Sequence, residues 1–465
     1  MTDFFSVPIR RQQILLFVVD LLLLLLSLML AFVIARFAKF NILFVLDRFT
    51  VGCTIYFGVH AVVFFVGQLY DVENRYEEMR SFLYIGALIL VANLLIFMMF
   101  YFLPDYRIAR RVMAIQAPLA AITVSLWRRI YLLVLRRLLP ARRVLVVGAG
   151  GTVTALIEDL AAGAGPDYEI AGIVDDDPAR AGAGGVRVLG TTGELRGIVT
   201  RERIDTIVFS PGYAVVANGH TVRDVLDLKA RGIKVYELAT FYKKVSGKIP
   251  VKYIQDQWLL FSQDFAGIAR ADASNLKRLM DILIAAGCLV LLSPLMLMLA
   301  LLVALTSRGP ILYRQERFGL DKRPYLLLKF RTMRADAEKE GGPAWAKEND
   351  RRVTPLGLVM RRLRLDEIPQ FFNVLRGEMS IIGPRPERPY FVEQLERTIP
   401  YYDLRFAAKP GLTGWAQVNY GYGATEEDAH TKLQYDLYYI QEMSPLLDLV
   451  ILLKTFQTLL FRPGY

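Results

Sequence analysis

The sequence predicts a membrane protein of α plus α/β class. It should hold a four-helix transmembrane unit, a Rossmann-like parallel-sheet domain, and an α/β domain that opens with a further membrane helix. Three observations lead there. Of the 465 residues 54% are apolar, and the apolar runs are concentrated rather than spread. Four such runs fill the first third of the chain, and a fifth covers residues 282–306. Between them, strand-like and helix-like segments alternate, which implies a parallel sheet.

The four early runs cover residues 14–35, 49–69, 82–103 and 112–126. The first three reach the ~20 residues that cross a bilayer. The fourth extends through Tyr131 to Leu135, with Arg128 and Arg129 snorkelling. The first run is too long for a cleavable signal peptide, and no small-residue cleavage site follows it. With the N-terminus inside, cytoplasmic segments carry Arg10, Arg11, Arg75, Arg80, Arg128, Arg129, Arg136, Arg137, Arg142 and Arg143. The outside loops carry Arg36, Lys39, Arg48, Arg107, Arg110 and Arg111. Ten against six favours both ends of this unit, residues 1–140, in the cytoplasm.

From Arg142 the pattern becomes that of a Rossmann-like domain, residues 141–265. Strands are expected at 144–147, 170–174, 204–209 and 233–237, with a helix around 222–230. The first strand enters Gly148-Ala149-Gly150-Gly151, and the second ends in Asp175-Asp176-Asp177. Two glycines and an acid at that spacing resemble part of a dinucleotide fingerprint. The third glycine position holds Val153, however, and the region has no Tyr-x-x-x-Lys pair. An assembly or regulatory module is therefore expected over a nucleotide site. A membrane-tethered, NAD-dependent sugar-nucleotide epimerase or dehydrogenase is the alternative, resting on this domain alone.

The fifth apolar run could cross a bilayer, but Ser293-Pro294 sits at its middle, where proline removes a backbone hydrogen bond. Both flanks are basic: Lys277 and Arg278 before it, Arg308, Arg314 and Arg317 after it. These features predict a re-entrant helix, about 276–306, that breaks at Ser293-Pro294 and leaves on the side it entered.

The most informative stretch is RRLRLDEIPQFFNVLRGEMSIIGPRPERP, residues 361–389. It sets adjacent acids, Asp366 and Glu367, behind Arg361, Arg362 and Arg364, then adds Arg385 and Arg388 around a Gly-Pro-Arg-Pro turn. Cations that hold phosphates, beside a carboxylate that attacks one or binds a metal, are the ingredients of phosphoryl transfer. An isolated acid pair would more often mark a solvated helix edge. Lys329 and Arg331, two apart, share one face of a strand and add further phosphate contacts.

Composition narrows the chemistry. The net charge of +11 comes from arginines that flank apolar runs or sit in these motifs, so anionic lipid and phosphorylated substrates account for it better than nucleic acid. Both cysteines, Cys53 and Cys288, lie in apolar stretches, against a disulfide or zinc framework. His60, His220 and His430 are scattered, so a nucleophile is more readily a carboxylate.

Five blocks in order, YRQERFG (313–319), KFRTM (329–333), LDEIPQ (365–370), MSIIGPRP (379–386) and KPGLTGWAQVN (409–419), resemble the bacterial polyprenyl-phosphate phosphoglycosyl transferases, which initiate exopolysaccharide and O-antigen synthesis. After Asn419 many members continue with Gly-Arg; this chain reads Tyr420-Gly421-Tyr422-Gly423. The resemblance implies a catalytic domain over 274–465 on the cytoplasmic side of the bacterial inner membrane. Its substrates would be a UDP-sugar, with glucose or galactose the ordinary donors, and undecaprenyl phosphate, with Mg2+ as cofactor. Asp366 would be the nucleophile, and Glu367 its partner in acid-base or metal duty. Lys329, Arg331, Arg385 and Arg388 would contact phosphate, and Arg361 and Arg364 the lipid headgroups or lipid phosphate. Trp415 would anchor at the bilayer surface, stack on uracil or pack in the core. The run 446–461 would lie against the membrane or pack as a core helix. A homodimer is expected.

Overall fold

A computed structural model of the chain describes residues 11–35, 42–67, 69–70, 78–106, 108–131, 133, 141–148, 168–177, 187–210, 219–253, 271–333, 352–421, 423 and 425–461. They form two compact units.

The first unit is a bundle of α1 (Arg11–Ile34), α2 (Ile42–Val66), α3 (Glu78–Phe102) and α4 (Arg110–Ile130). Gln13 of α1 donates to the Tyr70 carbonyl just beyond α2 at 3.0 Å, and Tyr84 of α3 donates to the Gly67 carbonyl at 2.6 Å. Successive helices therefore alternate in direction. Leu24, Leu28, Tyr56, Phe64, Ile89, Ile96 and Val124 fill the core. Two segments, Gln13–Ile34 and Phe82–Phe102, are long and apolar enough to cross a bilayer, and α2 contributes a shorter apolar stretch, Val51–Val66.

The fourth run differs from expectation. Helix α4 is amphipathic, burying Val112, Met113, Gln116, Ala120, Val124 and Arg128 on one face. Gln116 bonds the Tyr56 hydroxyl and accepts from Asn93 at 3.2 Å. Arg128 does not snorkel: it is buried, 2.6 Å from Asp20 of α1 and over the Tyr70 ring at 5.5 Å. A guanidinium inside an apolar bundle is tolerated only with such a partner.

The second unit begins with a five-stranded sheet: β1 (Arg142–Val147), β2 (Tyr168–Val174), β3 (Val188–Gly190), β4 (Thr206–Phe209) and β5 (Lys234–Glu237). The strand order is β3-β2-β1-β4-β5, and β2–β3, β1–β4 and β4–β5 pair in parallel. Helices α5 (Leu195–Arg201), α6 (Gly219–Ala230) and α7 (Leu238–Ser246) accompany it. Leu145, Val147, Val174, Ile198, Ile207, Phe209 and Leu228 form its core. The sequence reading missed β3 and α5, which are too short to show a period. Gly148 turns out of β1 at φ 94°, a conformation that favours glycine, while its N–H donates to the Val174 carbonyl at 2.8 Å. Gly150 and Val153 lie outside the described residues. The acids ending β2 serve their own loops: Asp175 accepts from the Asp177 N–H, and Asp176 from the Thr192 N–H and hydroxyl.

The C-terminal part opens with α8 (Ala271–Thr306), followed by the antiparallel hairpin β6 (Leu312–Phe318) and β7 (Pro324–Phe330). Then come α9 (Pro355–Arg362), α10 (Gln370–Arg376), β8 (Ser380–Ile382), α11 (Pro389–Thr398), β9 (Gly411–Thr413), α12 (Trp415–Asn419), α13 (Glu426–Gln441) and α14 (Pro445–Phe461). Strands β8 and β9 pair in parallel. Helix α8 contains the third bilayer-length segment, Asn275–Thr306, and runs unbroken through Ser293 and Pro294. The Ser293 hydroxyl donates to the Val290 carbonyl at 2.8 Å, the group that the missing N–H of Pro294 leaves unpaired. The expected break in helical structure is absent, and the carbonyl freed by Pro294 is satisfied in place.

Within this unit the segment after the sheet docks on α13. Gly247 caps α7 in the left-handed region, its carbonyl accepts from the Trp415 indole at 2.9 Å, and the Ile249 N–H donates to the Gln434 carbonyl at 3.0 Å. Lys243 pairs with Glu442 at 2.7 Å. Trp415 is thus a core residue, 3% exposed and stacked on Tyr438, and not an anchor at a bilayer surface. Helix α14 buries Leu447, Val450 and Ile451 while exposing Leu446, Leu449, Phe456 and Leu459.

Candidate active site

A tight chain reversal presents the two adjacent acids. Thr354 caps α9, accepting from the Gly357 N–H at 3.0 Å, and Pro355 starts the helix. Gly357 is needed there, because a Cβ would lie 2.2 Å from the Thr332 carbonyl oxygen. After α9, Arg364 takes the left-handed conformation, φ 54°, which turns the chain into a helical turn over Leu365–Glu367. A non-glycine residue there carries local strain, which persists where surrounding contacts hold it. Helix α10 then leads away.

Asp366 is 7% exposed. Glu367 Oε1 accepts from Lys329 Nζ at 3.0 Å and from Arg385 Nη2 at 2.9 Å. The two acids are consequently unlike. Burial pushes the Asp366 carboxyl above its ordinary range; Lys329 opposes that, and the Glu367 charge adds to it. Burial acts to raise Glu367 as well, but Lys329, Arg385 and Arg364 outweigh it and hold that carboxyl well below the usual range. Among the described residues no cation lies within ion-pair distance of Asp366. One acid is thus kept ionised by salt bridges. The other is buried, more basic and, among the described residues, without a direct ion pair.

Two buried ties hold the Gly-Pro-Arg-Pro turn. Arg405 donates to the Arg385 carbonyl at 3.0 Å and pairs with Asp436 at 2.9 Å. Arg317 donates to the Pro386 carbonyl at 3.0 Å. Asn373 links α10 to the hairpin that carries Lys329, donating to the Leu326 carbonyl and accepting from the Leu328 N–H. A shallow cleft lined by Phe318, Gly319, Pro384, Arg385, Pro386 and Arg405 opens alongside.

Lys329, Asp366, Glu367 and Arg385 therefore come together, and Arg361 and Arg364 lie close enough to bias the acids electrostatically. Arg361 also donates to the Thr332 hydroxyl at 2.9 Å. Arg331 does not join them: its guanidinium is buried against the Ser307 carbonyl and hydroxyl, both at 2.7 Å. The Arg331 N–H still bonds the Ile311 carbonyl at 3.0 Å, extending the hairpin ladder past Phe330, so it is the Ser307 contacts that hold this guanidinium away from the acids. Arg388 is half-buried at the start of α11, facing Arg317. Sequence reasoning missed Arg317, Asn373, Arg405 and Asp436 as site residues. Arg317 lies inside the block 313–319 and Asn373 between two blocks of the stretch 361–389, whereas the Arg405–Asp436 pair spans 31 positions with no local signal.

Among the described residues no three His, Cys, Asp or Glu side chains are grouped to hold a metal ion. Two adjacent carboxylates, one occupied at Oε1 by two cations, suit a cation that arrives with a diphosphate and completes its shell with phosphate oxygens and water, as magnesium does.

Two adjacent acids, one of them held by a lysine and an arginine, in an α/β domain that opens with a bilayer-length helix, fit a membrane-bound phosphoryl-transfer site. Residues 272–462 match the bacterial sugar transferase family, and residues 68–210 are similar to a CoA-binding domain. The chain is 42% identical over 231 residues to the UDP-N-acetylgalactosamine-undecaprenyl-phosphate N-acetylgalactosaminephosphotransferase of Aeromonas hydrophila, covering 49% of this chain and 52% of that protein. It is 41% identical over 209 residues to the UDP-glucose:undecaprenyl-phosphate glucose-1-phosphate transferase of Escherichia coli, covering 44% of each chain. With the enzyme of the same description from Caulobacter vibrioides it shares 44% identity over 188 residues, covering 40% of this chain and 69% of that protein. The matched region spans about half the length of the first two relatives. The chain belongs to the bacterial polyprenyl-phosphate phosphoglycosyl transferases.

Proposed function

We propose that the protein transfers a sugar 1-phosphate from a UDP-sugar to undecaprenyl phosphate, giving polyprenyl-diphosphate sugar and UMP, as the first membrane step of a surface glycan. The observation that carries this reading is the contrast between the neighbouring acids: Asp366 buried with no ion pair among the described residues, Glu367 clamped by Lys329 and Arg385. Asp366 attacks the sugar-bearing β-phosphorus, the bond to the bridging oxygen breaks, and UMP leaves with that electron pair. A lipid-phosphate oxygen then attacks the same phosphorus and releases the Asp366 carboxylate. Lys329 and Arg385 neutralise charge on the phosphoryl oxygens in both steps, and Glu367 holds the two cations in place. Asp366 and Glu367 would hold a magnesium ion, which offsets the charge of the diphosphate when bound.

The membrane reading rests on α8. Its first turns bond soluble elements, Arg278 to the Val374 and Leu375 carbonyls and Asp281 to β8. Farther along, Leu299 and Val303 pack with Phe330, Met360 and Ile368 of the same domain. A straight helix of 36 residues is about 54 Å long, and a bilayer core is about 30 Å thick. One folded domain touching both regions of such a helix favours entry and exit on one face, by bending rather than by a break at Ser293-Pro294. That face is the cytoplasmic side of the inner membrane, where nucleotide sugars are made, and the N-terminal bundle adds further spans. Leu283, Val290 and Leu291, strongly exposed, face the lipid. A homodimer completes the reading. The relatives' names specify N-acetylgalactosamine in one case and glucose in others, so the donor is chosen by assay.

The test is isotope exchange between UMP and a panel of UDP-sugars, without acceptor lipid. Asp366→Asn should abolish exchange and trapping of phosphosugar on the protein. A variant that still traps phosphosugar, or kinetics needing donor and acceptor bound together, would overturn the assignment.

A further inference from the structure

An acid sits at the foot of the membrane helix. Asp281 immediately precedes the apolar run 282–306 of α8, is 5% exposed, and takes no part in the chemistry above. Its Oδ1 accepts from the Ser380 hydroxyl at 3.0 Å and from the Ile381 N–H at 2.9 Å. Both donors belong to β8, a strand of three residues that runs directly into Gly383-Pro384-Arg385. Arg278, one turn earlier on the same face of α8, donates to the Val374 and Leu375 carbonyls at 2.6 and 2.7 Å, at the end of α10. Helix α10 starts just after the turn that carries Asp366 and Glu367. The foot of α8 therefore grips the two backbone segments whose side chains meet in the Glu367–Arg385 contact.

The path from Asp281 to Arg385 has little slack. Pro384 and Pro386 have fixed φ, and Gly383 is wedged so tightly that a Cβ would lie 2.2 Å from the Lys409 carbonyl oxygen. A buried carboxylate has to be hydrogen-bonded, and both bonds that Asp281 Oδ1 accepts come from β8. The groups facing Asp281 from neighbouring elements include Lys409, Tyr439 and Asp448.

We propose that Asp281 is a positioning residue: from the membrane helix it sets β8, and through β8 it holds Arg385 against Glu367, so that seating of α8 and alignment of the phosphate-binding cluster are one event. This rests on the function proposed above only in taking that cluster as the reacting site.

The experiment uses the full chain in nanodiscs, with Asp281→Ala, Asp281→Asn and Ser380→Ala. It reads UMP/UDP-sugar exchange, thermal unfolding, and hydrogen exchange of the 380–388 and 206–209 peptides. Asp281→Ala should lower kcat at least tenfold and leave donor KM within about threefold. It should also loosen 380–388 while sparing 206–209. Asp281→Asn, which offers the same acceptor oxygen, should retain at least half of kcat, and Ser380→Ala, which removes one of two bonds, should fall between. The proposal is overturned if Asp281→Ala keeps kcat within twofold, if Asp281→Asn is as impaired as Asp281→Ala, or if activity falls only in step with unfolding. A wild-type protein inactive with every UDP-sugar would overturn the functional reading instead. Hydrogen exchange then decides the coupling alone: 380–388 loosened in Asp281→Ala but not Asp281→Asn supports it, and unchanged protection refutes it.

Discussion

Arg385 Nη2 lies 2.9 Å from Glu367 Oε1, joining the turn after α9 to the Gly-Pro-Arg-Pro turn 18 residues on. Lys329 reaches the same oxygen from the β6–β7 hairpin. Three elements far apart along the chain thus converge on one carboxylate, leaving the adjacent Asp366 buried with no ion pair of its own among the described residues. The behaviour of the site follows from that asymmetry.

Activity should fall on the acid side through the protonation of Asp366. Its carboxyl titrates above the ordinary 3.8, whereas Glu367 stays ionised well below that range. The kcat/KM for the donor half-reaction should show one acid inflection above pH 3.8, with a limiting slope of one. Lys329→Met removes the cation that opposes the rise, so the inflection should move to higher pH. A pH–rate profile of both proteins measures this, and a shift to lower pH would contradict it.

Stability should show the same asymmetry with opposite signs. A carboxyl whose pKa is raised on folding contributes stability that is full below its unfolded value and lost as pH rises through the folded one. Ionised Asp366 is therefore a cost at neutral pH. Asp366→Asn should raise Tm by roughly 2–4 °C per ~1 kcal/mol recovered, with the gain vanishing toward pH 4. Glu367 is depressed, so its contribution is present above its unfolded value and lost as pH falls. Glu367→Gln should lower Tm at neutral pH, as differential scanning fluorimetry in detergent would show.

Arg385→Ala should cut kcat/KM by on the order of 10²-fold, since a charge-assisted donor aimed at developing negative charge is worth ~3 kcal/mol. Arg385→Lys should recover only part of that, because a point charge cannot copy the planar fork. Steady-state kinetics on the donor half-reaction settle both.

In the helical bundle, Arg128→Ala should leave Asp20 buried and unpaired at a cost of about 3–5 kcal/mol. The double variant Asp20→Leu, Arg128→Leu removes both charges and should recover most of that loss. Yield of folded protein and unfolding in detergent compare the three; equal losses in single and double variants would rule out the pair as the cause.

Trp415→Phe keeps the ring on Tyr438 but strands the Gly247 carbonyl, for about 1–2 kcal/mol. Hydrogen exchange in residues 243–253 should rise selectively.

Where chemistry is written in a short window, the sequence alone was enough. The apolar runs, the strands expected at 144–147 and 204–209, and the Asp366-Glu367 pair behind its arginines are all local patterns, set by side-chain period and by adjacency. They located the helices, the parallel sheet and the acid pair without any knowledge of distant contacts. Three-dimensional packing decided the rest. Lys329 entered the cluster and Arg331 did not, because Ser307, at the end of α8, holds the Arg331 guanidinium. Arg128 went inward because Asp20, 108 residues earlier, was there to receive it. Helix α8 continued past Pro294, with the Ser293 hydroxyl satisfying the carbonyl that proline left free. The two acids came to differ through burial and through cations from elsewhere in the fold, and the electrostatics of a buried carboxylate depend on every charge within a few ångströms, whatever its place in the chain.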